Sequence, residues 1–155
     1  MNFIVLFIYI YLVTKYNYNC KVIYNTKSCS LCSEKPLHSF RIIQQTSSHS
    51  FFYTNEAEIN PNIKDRTPEF IINHISNELS MFDKDKKWSW FYDSRHYKMD
   101  MNTMSLFLGL LDIFKKYGST LQKIYIIPSD MLRTMLSLVS YLLPDYIKNV
   151  IVLIE

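Results

Sequence analysis

From residue 67 to residue 154 the sequence switches repeatedly between helical and extended hydrophobic spacing, and this alternation most limits the folds open to it. Thr67-Pro68-Glu69 has the order of a helix start. It supplies a capping hydroxyl, a proline at the first helical position where a missing N–H costs nothing, and a carboxylate at the positive end of the helix dipole. Phe70, Ile71, Ile75, Leu79 and Phe82 then return at helical spacing. Residues 88–93, WSWFYD, read as a buried strand ending in an acid. Residues 102–117 predict a second helix, with Met104, Phe107, Leu108, Leu111 and Phe114 inward and Gly118 as a left-handed stop. Residues 122–128 predict a second strand. Ser129 caps a third helix carrying Leu132, Met135, Leu136, Val139 and Leu143 on one side and ended by Pro144, and residues 149–154 predict a third strand.

Helices alternating with strands in this way produce a parallel sheet with crossover helices. The strands YIIP and VIVLI are nearly unbroken apolar runs, as expected of central strands covered on both faces. Upstream, residues 21–54 hold short β-type runs broken by polar clusters, and residues 39–45 and 50–55 are a hairpin candidate. The fold class is therefore α/β: a small, mostly parallel sheet with crossover helices and a β-rich N-terminal region. With 155 residues, 48% apolar and 20% charged, residues 21–155 form one domain able to hold a core without disulfides.

Residues 1–20 stand apart as an apolar N-terminal segment. The apolar run 3–13 is too short to cross a bilayer alone, which takes roughly 20 residues. Its length suits a signal peptide, yet no Lys or Arg precedes it and no small-x-small site follows. An interfacial segment is a further reading; a packed or loosely attached element is the leading one.

Ten Phe and twelve Tyr against two Gly read first as the codon bias of an AT-rich genome. Aromatic and lysine abundance is then weak evidence for a nucleic-acid surface. The net charge is only +3 and no basic run exceeds two residues, so nucleic acid is not expected as a partner.

In a parallel sheet, ligands sit beyond the carboxyl ends of the strands. There the sequence offers Asp93-Ser94-Arg95-His96 and Pro128-Ser129-Asp130. Two glycines in the whole chain leave no dinucleotide fingerprint and no phosphate loop, so no cofactor is expected. Ser94 and His96 are hydrolase residue types without the glycines of a nucleophile elbow, and neighbours on a strand point to opposite faces. A strand-end Asp93 accepting backbone N–H groups and pairing with Arg95 is the expected arrangement, and the chain is not expected to be an enzyme. His74 lies inside the first helix and reads as a satisfied or half-exposed helix histidine rather than a ligand. Cys29 and Cys32 have a chelating spacing, and Cys20 with His38 would complete four ligands, but the pattern fits no common zinc site. Reduced thiols, no bound metal and a cytoplasmic compartment follow.

The third helix is where function is expected. Met131 and Leu138 fall off the stripe formed by its other apolar residues, so its apolar surface is wider than one packing face. Deeper core, a partner or an apolar ligand would each cover such a surface.

Residues 71–155 resemble the CRAL-TRIO lipid-binding domain, most closely the short stand-alone versions of large DNA viruses. Asp93 at a strand end, Tyr117, Leu121, the strand 124–127 with Pro128, and the apolar helix through Leu143 follow the family pattern in order and spacing. The resemblance implies binding of a lipid or other small apolar molecule in a cavity on the sheet face, with residues 131–143 as a movable gate. Carried over, Trp90, Tyr92, Tyr125 and Ile127 would line the cavity, Leu132, Met135, Leu136 and Val139 would belong to the gate, and Asp93 and Pro128 would be structural. Implied partners are a lipid and a membrane surface. A degenerate module that docks the same helix on a partner protein is the alternative.

Overall fold

Thr46, Ser47 and Ser48 separate two β-rich runs, and a short polar linker of this kind closes a hairpin. In the computed structural model, which describes residues 40–58, 67–81, 85–98 and 102–155, β1 (Arg41–Gln45) and β2 (His49–Asn55) pair antiparallel across it. The Thr46 N–H donates to the His49 carbonyl at 2.8 Å, and the His49 N–H donates to Thr46 Oγ1 at 3.0 Å. The apolar run 3–13, Cys20, Cys29, Cys32, His38 and Phe82 lie outside the described residues.

A 3-10 turn (Glu56–Glu58) follows β2, and α1 (Pro68–Ser80) begins as its sequence predicts, with the Phe70 N–H donating to Thr67 Oγ1 at 3.2 Å. Next come β3 (Lys87–Asp93), α2 (Thr103–Tyr117), β4 (Leu121–Ile127) and α3 (Asp130–Val139). Ser129 caps α3 by accepting the Leu132 N–H at 3.1 Å. A 3-10 turn (Ser140–Leu142), α4 (Asp145–Lys148) and β5 (Ile151–Leu153) complete the described chain.

The sheet order is β1-β2-β3-β4-β5, with β2 to β5 parallel and laid down in chain order. Right-handed crossovers that always step the same way place every crossover helix on the same face. The buried side chains agree. Ile75 and Leu79 of α1, Phe107, Ile113 and Phe114 of α2, Leu132 and Val139 of α3 and Ile147 of α4 join one cluster with Phe52, Trp88, Trp90, Ile124 and Ile126 of the sheet. Phe51, Tyr53, Phe91 and Tyr125, which alternate with those strand residues, point the other way.

Aromatic rings fill the centre of the core. Phe40 stacks on Phe52 at 4.2 Å between centroids and meets Trp90 edge-on at 5.5 Å, while Trp88 stands edge-on to Phe52 at 5.9 Å. A buried indole needs a partner for its N–H. Trp88 Nε1 donates to the Tyr117 carbonyl at 3.1 Å and Trp90 Nε1 to Thr54 Oγ1 at 3.0 Å.

Four expectations are corrected by tertiary contacts. Among the described residues the helices lie on one sheet face only, where two covered faces were expected, and β5, of three residues, pairs with β4 alone. On α2, Met104 and Leu108 are half exposed while Ile113 is buried, because this helix packs on α1 as well as on the sheet. Gly109 sits so close to α1 that a Cβ there would come within 2.6 Å of Ile72 Cγ1. The α-helix of α3 stops at Val139, and Pro144 is the cap of α4 rather than the end of one long helix.

Gly118 is the fourth. Its φ of −70° is right-handed, so the position needs no left-handed backbone. A Cβ would instead run into the Phe114 carbonyl oxygen and lie 3.1 Å from the Tyr146 ring. An alanine placed in an unstrained turn usually stabilises; Gly118→Ala is expected to lower stability by about 1–3 kcal/mol, read from urea denaturation.

Two titratable groups one turn apart on α1 set opposite pH trends. Burial lowers the pKa of His74, more than its hydrogen bond to the Phe40 carbonyl (2.9 Å) raises it, so the folded state loses stability as pH falls below 6.5. Burial raises the Glu78 carboxyl to about 7, so its contribution is present below pH 4.5 and lost as pH rises through 7. Glu78→Gln is expected to stabilise the protein at pH 8 and to leave it nearly unchanged at pH 4.5, measured as urea midpoints.

Candidate functional site

At the carboxyl ends of the parallel strands, Asn55, Asp93 and Ile127 stand in register. Asp93 is buried and accepts the Arg95 backbone N–H at 3.3 Å, Nε at 3.0 Å and Nη2 at 2.7 Å. Burial alone would raise its carboxyl; the Arg95 hydrogen bonds and charge outweigh burial and hold it below its usual range. Ser94 is fully buried, donates its hydroxyl to the Ile127 carbonyl at 3.0 Å and accepts the Ser129 N–H at 3.3 Å. A serine so engaged ties β3 to the start of α3. Tyr92 donates to Glu56 Oε1 at 2.7 Å. Among the described residues no three His, Cys, Asp or Glu side chains gather as a metal site.

The eight expected cavity and gate residues divide between the two sides of the sheet. Trp90, Leu132 and Val139 are buried in the helix-side core, and Tyr92, Met135 and Leu136 pack against it. Tyr125 and Ile127 face the opposite side. The reason is a register irregularity: Trp88 pairs with Leu121 but Ser89 with Lys123, so β4 carries an extra residue there. Trp90 and Tyr92 therefore stand beside Ile124 and Ile126, not beside Tyr125 and Ile127. With four apolar residues in succession from Ile124 to Ile127, alternation alone does not say which pair faces the helices.

Tyr125 instead belongs to an aromatic row across the far face. Its ring stacks on Phe91 at 4.6 Å, Phe91 lies 6.2 Å from Phe51, and His49 stacks on Phe51 at 4.4 Å. Burial raises the Tyr125 phenol above its ordinary pKa. His49 Nε2 lies 3.0 Å from Ser89 Oγ, and Arg41 lies over the Tyr53 ring at 5.0 Å.

The α3 segment has two apolar sides, as its sequence predicts. Leu132, Val139 and Leu143 are buried, whereas Leu138 is 65% exposed, Tyr141 76%, Leu142 46% and Met131 47%. Leu138, Tyr141 and Leu142 follow one another at helical spacing and form an outward ridge. No helix among the described residues is long and apolar enough to cross a membrane. Comparison with protein-family models and with curated proteins finds no match to this chain.

Proposed function

We propose that this chain is a non-enzymatic, CRAL-TRIO-like domain that binds a lipid or another small apolar ligand at a membrane surface on the cytoplasmic side. The observation that carries this reading is the double apolar character of α3 and its 3-10 continuation: one stripe in the core, a second, including Leu138 and Tyr141, turned to solvent. Exposed apolar ridges of this kind mark contact surfaces. A tyrosine beside leucines suits the boundary between headgroups and acyl chains, where its ring is buried and its hydroxyl remains wet. The order of elements from Asp93 through Pro128 to β5 supports the family resemblance. A stand-alone viral version fits the same reading.

The packing beneath α3 favours contact at the outer surface over a deep cavity, because Trp90, Ile126, Leu132 and Val139 belong to one cluster. That packing equally suits the second reading, a module that docks the ridge on a partner protein. Native mass spectrometry followed by organic extraction, with co-sedimentation on phosphatidylcholine–phosphatidylserine vesicles, separates the two. Retained lipid or vesicle binding supports the first. A folded, lipid-free chain that ignores vesicles would overturn it in favour of the second.

A further inference from the structure

The crossover helices α1, α2 and α3 lie side by side on one sheet face, each running opposite to the strands it joins. With 3.6 residues per turn, the residue just after a sheet-facing position turns towards the following helix and the residue just before it towards the preceding one. Contacts on α2 agree on both sides. Ile72 and Ser76 of α1 follow its buried stripe through Ile75, and they meet α2: Ile72 lies against Gly109, and the Tyr117 hydroxyl donates to the Ser76 carbonyl at 3.3 Å. Tyr146, just before the buried Ile147 of α4, lies against Gly118 at the other side of α2.

Between α2 and α3 the facing side chains do not close. Met104 and Leu108 follow the buried Thr103 and Phe107, while Met131 and Leu138 precede the buried Leu132 and Val139, so the two pairs look towards each other. They are nevertheless 50%, 52%, 47% and 65% exposed. Leu111 and Met135, on the same two sides but deeper, pack on the core. The cause is residue size: Gly109 lets α1 approach α2 on one side, whereas only large side chains face α3 on the other. An open groove with apolar banks and an apolar floor results.

The length and charge of this groove select an occupant. From Met104 to Lys115 the groove runs about 16 Å at 1.5 Å per residue. The hydrocarbon of a bilayer is about 30 Å thick, so one acyl chain of one leaflet spans about 15 Å. Lys115 follows the buried Phe114 and brings a cation to the end of the groove near Gly118 and Tyr146. Its ion pair with Asp112 is exposed on both sides, 65% and 74%, and a pair of that kind holds its cation weakly.

We infer that the groove between α2 and α3 takes a single-chain anionic amphiphile, with its acyl chain between the Met104–Leu108 and Met131–Leu138 banks and its carboxylate or phosphate at Lys115. This rests on the reading of the chain as a lipid binder and narrows it to one acyl chain held at the outer surface of the helix layer.

Isothermal titration of the purified chain with myristate and with a lysophosphatidic acid, each below its micelle-forming concentration, tests this. Binding of one molecule per chain is expected, and the tighter of the two names the head group. Leu108→Asp and Leu138→Asp should each weaken binding by at least about tenfold. Both side chains are exposed, so urea midpoints should hold and separate a lost site from a lost fold. Lys115→Glu should weaken both anions and leave the poorer binding of a monoacylglycerol, which has the chain without the charge, unchanged. Methyl NMR needs no variant: the Met104 and Met131 signals should shift with myristate, and that of Met81, at the end of α1, should not. Leu108 lies on α2, apart from the Leu138–Tyr141–Leu142 ridge, so it separates the groove from plain membrane contact. Vesicle binding without binding of either amphiphile, amphiphile binding indifferent to Leu108→Asp, or equal affinity for the monoacylglycerol would each overturn the groove and leave the membrane reading standing. Self-association abolished by Leu108→Asp, with no amphiphile bound, would overturn it in favour of a second copy. A chain that binds neither amphiphile nor vesicles would overturn both.

Discussion

Phe52→Ala is expected to lower the stability of this protein by about 3–5 kcal/mol, the usual cost of removing a fully buried aromatic ring. Phe52 has no solvent exposure, stacks on Phe40 and stands edge-on to Trp88. Its β2 strand joins the hairpin to the parallel strands, so its neighbours cannot collapse into the gap without shifting backbone hydrogen bonds on both sides. A domain has about 5–15 kcal/mol of stability in all, so the variant should unfold at much lower urea with an unchanged slope. A loss below about 1 kcal/mol would mean that the ring cluster is not packed as described.

The second large effect concerns the ridge on α3. Each fully buried leucine contributes about 1.5–3 kcal/mol, so replacing Leu138 and Leu142 together with aspartate should reduce vesicle binding by at least about 100-fold. Both side chains are exposed, so the urea midpoint should hardly move. Leu136 is a poorer probe, because it packs against the core and an aspartate there would test folding as well. Unchanged vesicle binding in the Leu138→Asp, Leu142→Asp variant would remove α3 from the contact surface. The reading of this chain as a membrane-surface binder would fall with it.

Local signals in the sequence determined most of the elements. Thr67-Pro68-Glu69 and Ser129 announce the starts of α1 and α3, and both hydroxyls make the capping bonds their positions imply. The Asp93–Arg95 pair was legible for the same reason, since its groups are two residues apart and need no distant element. The outward apolar residues of α3 were also legible, because helical spacing alone separates Met131 and Leu138 from Leu132, Val139 and Leu143.

What depends on a neighbour distant in sequence was decided by the tertiary structure. Helical periodicity gives α2 a broad apolar arc, and only the approach of α1 at Gly109 turned Ile113 inward and left Met104 and Leu108 outside. Period-two alternation gives a strand two faces without saying which is inside. The extra residue of β4 opposite Trp88 and Ser89 settled that choice, placing Ile124 and Ile126 under the helices and Tyr125 and Ile127 on the far side. A hydrophobic period specifies which residues travel together; which side they take depends on register and on the neighbouring element, and those are set only when the chain has folded.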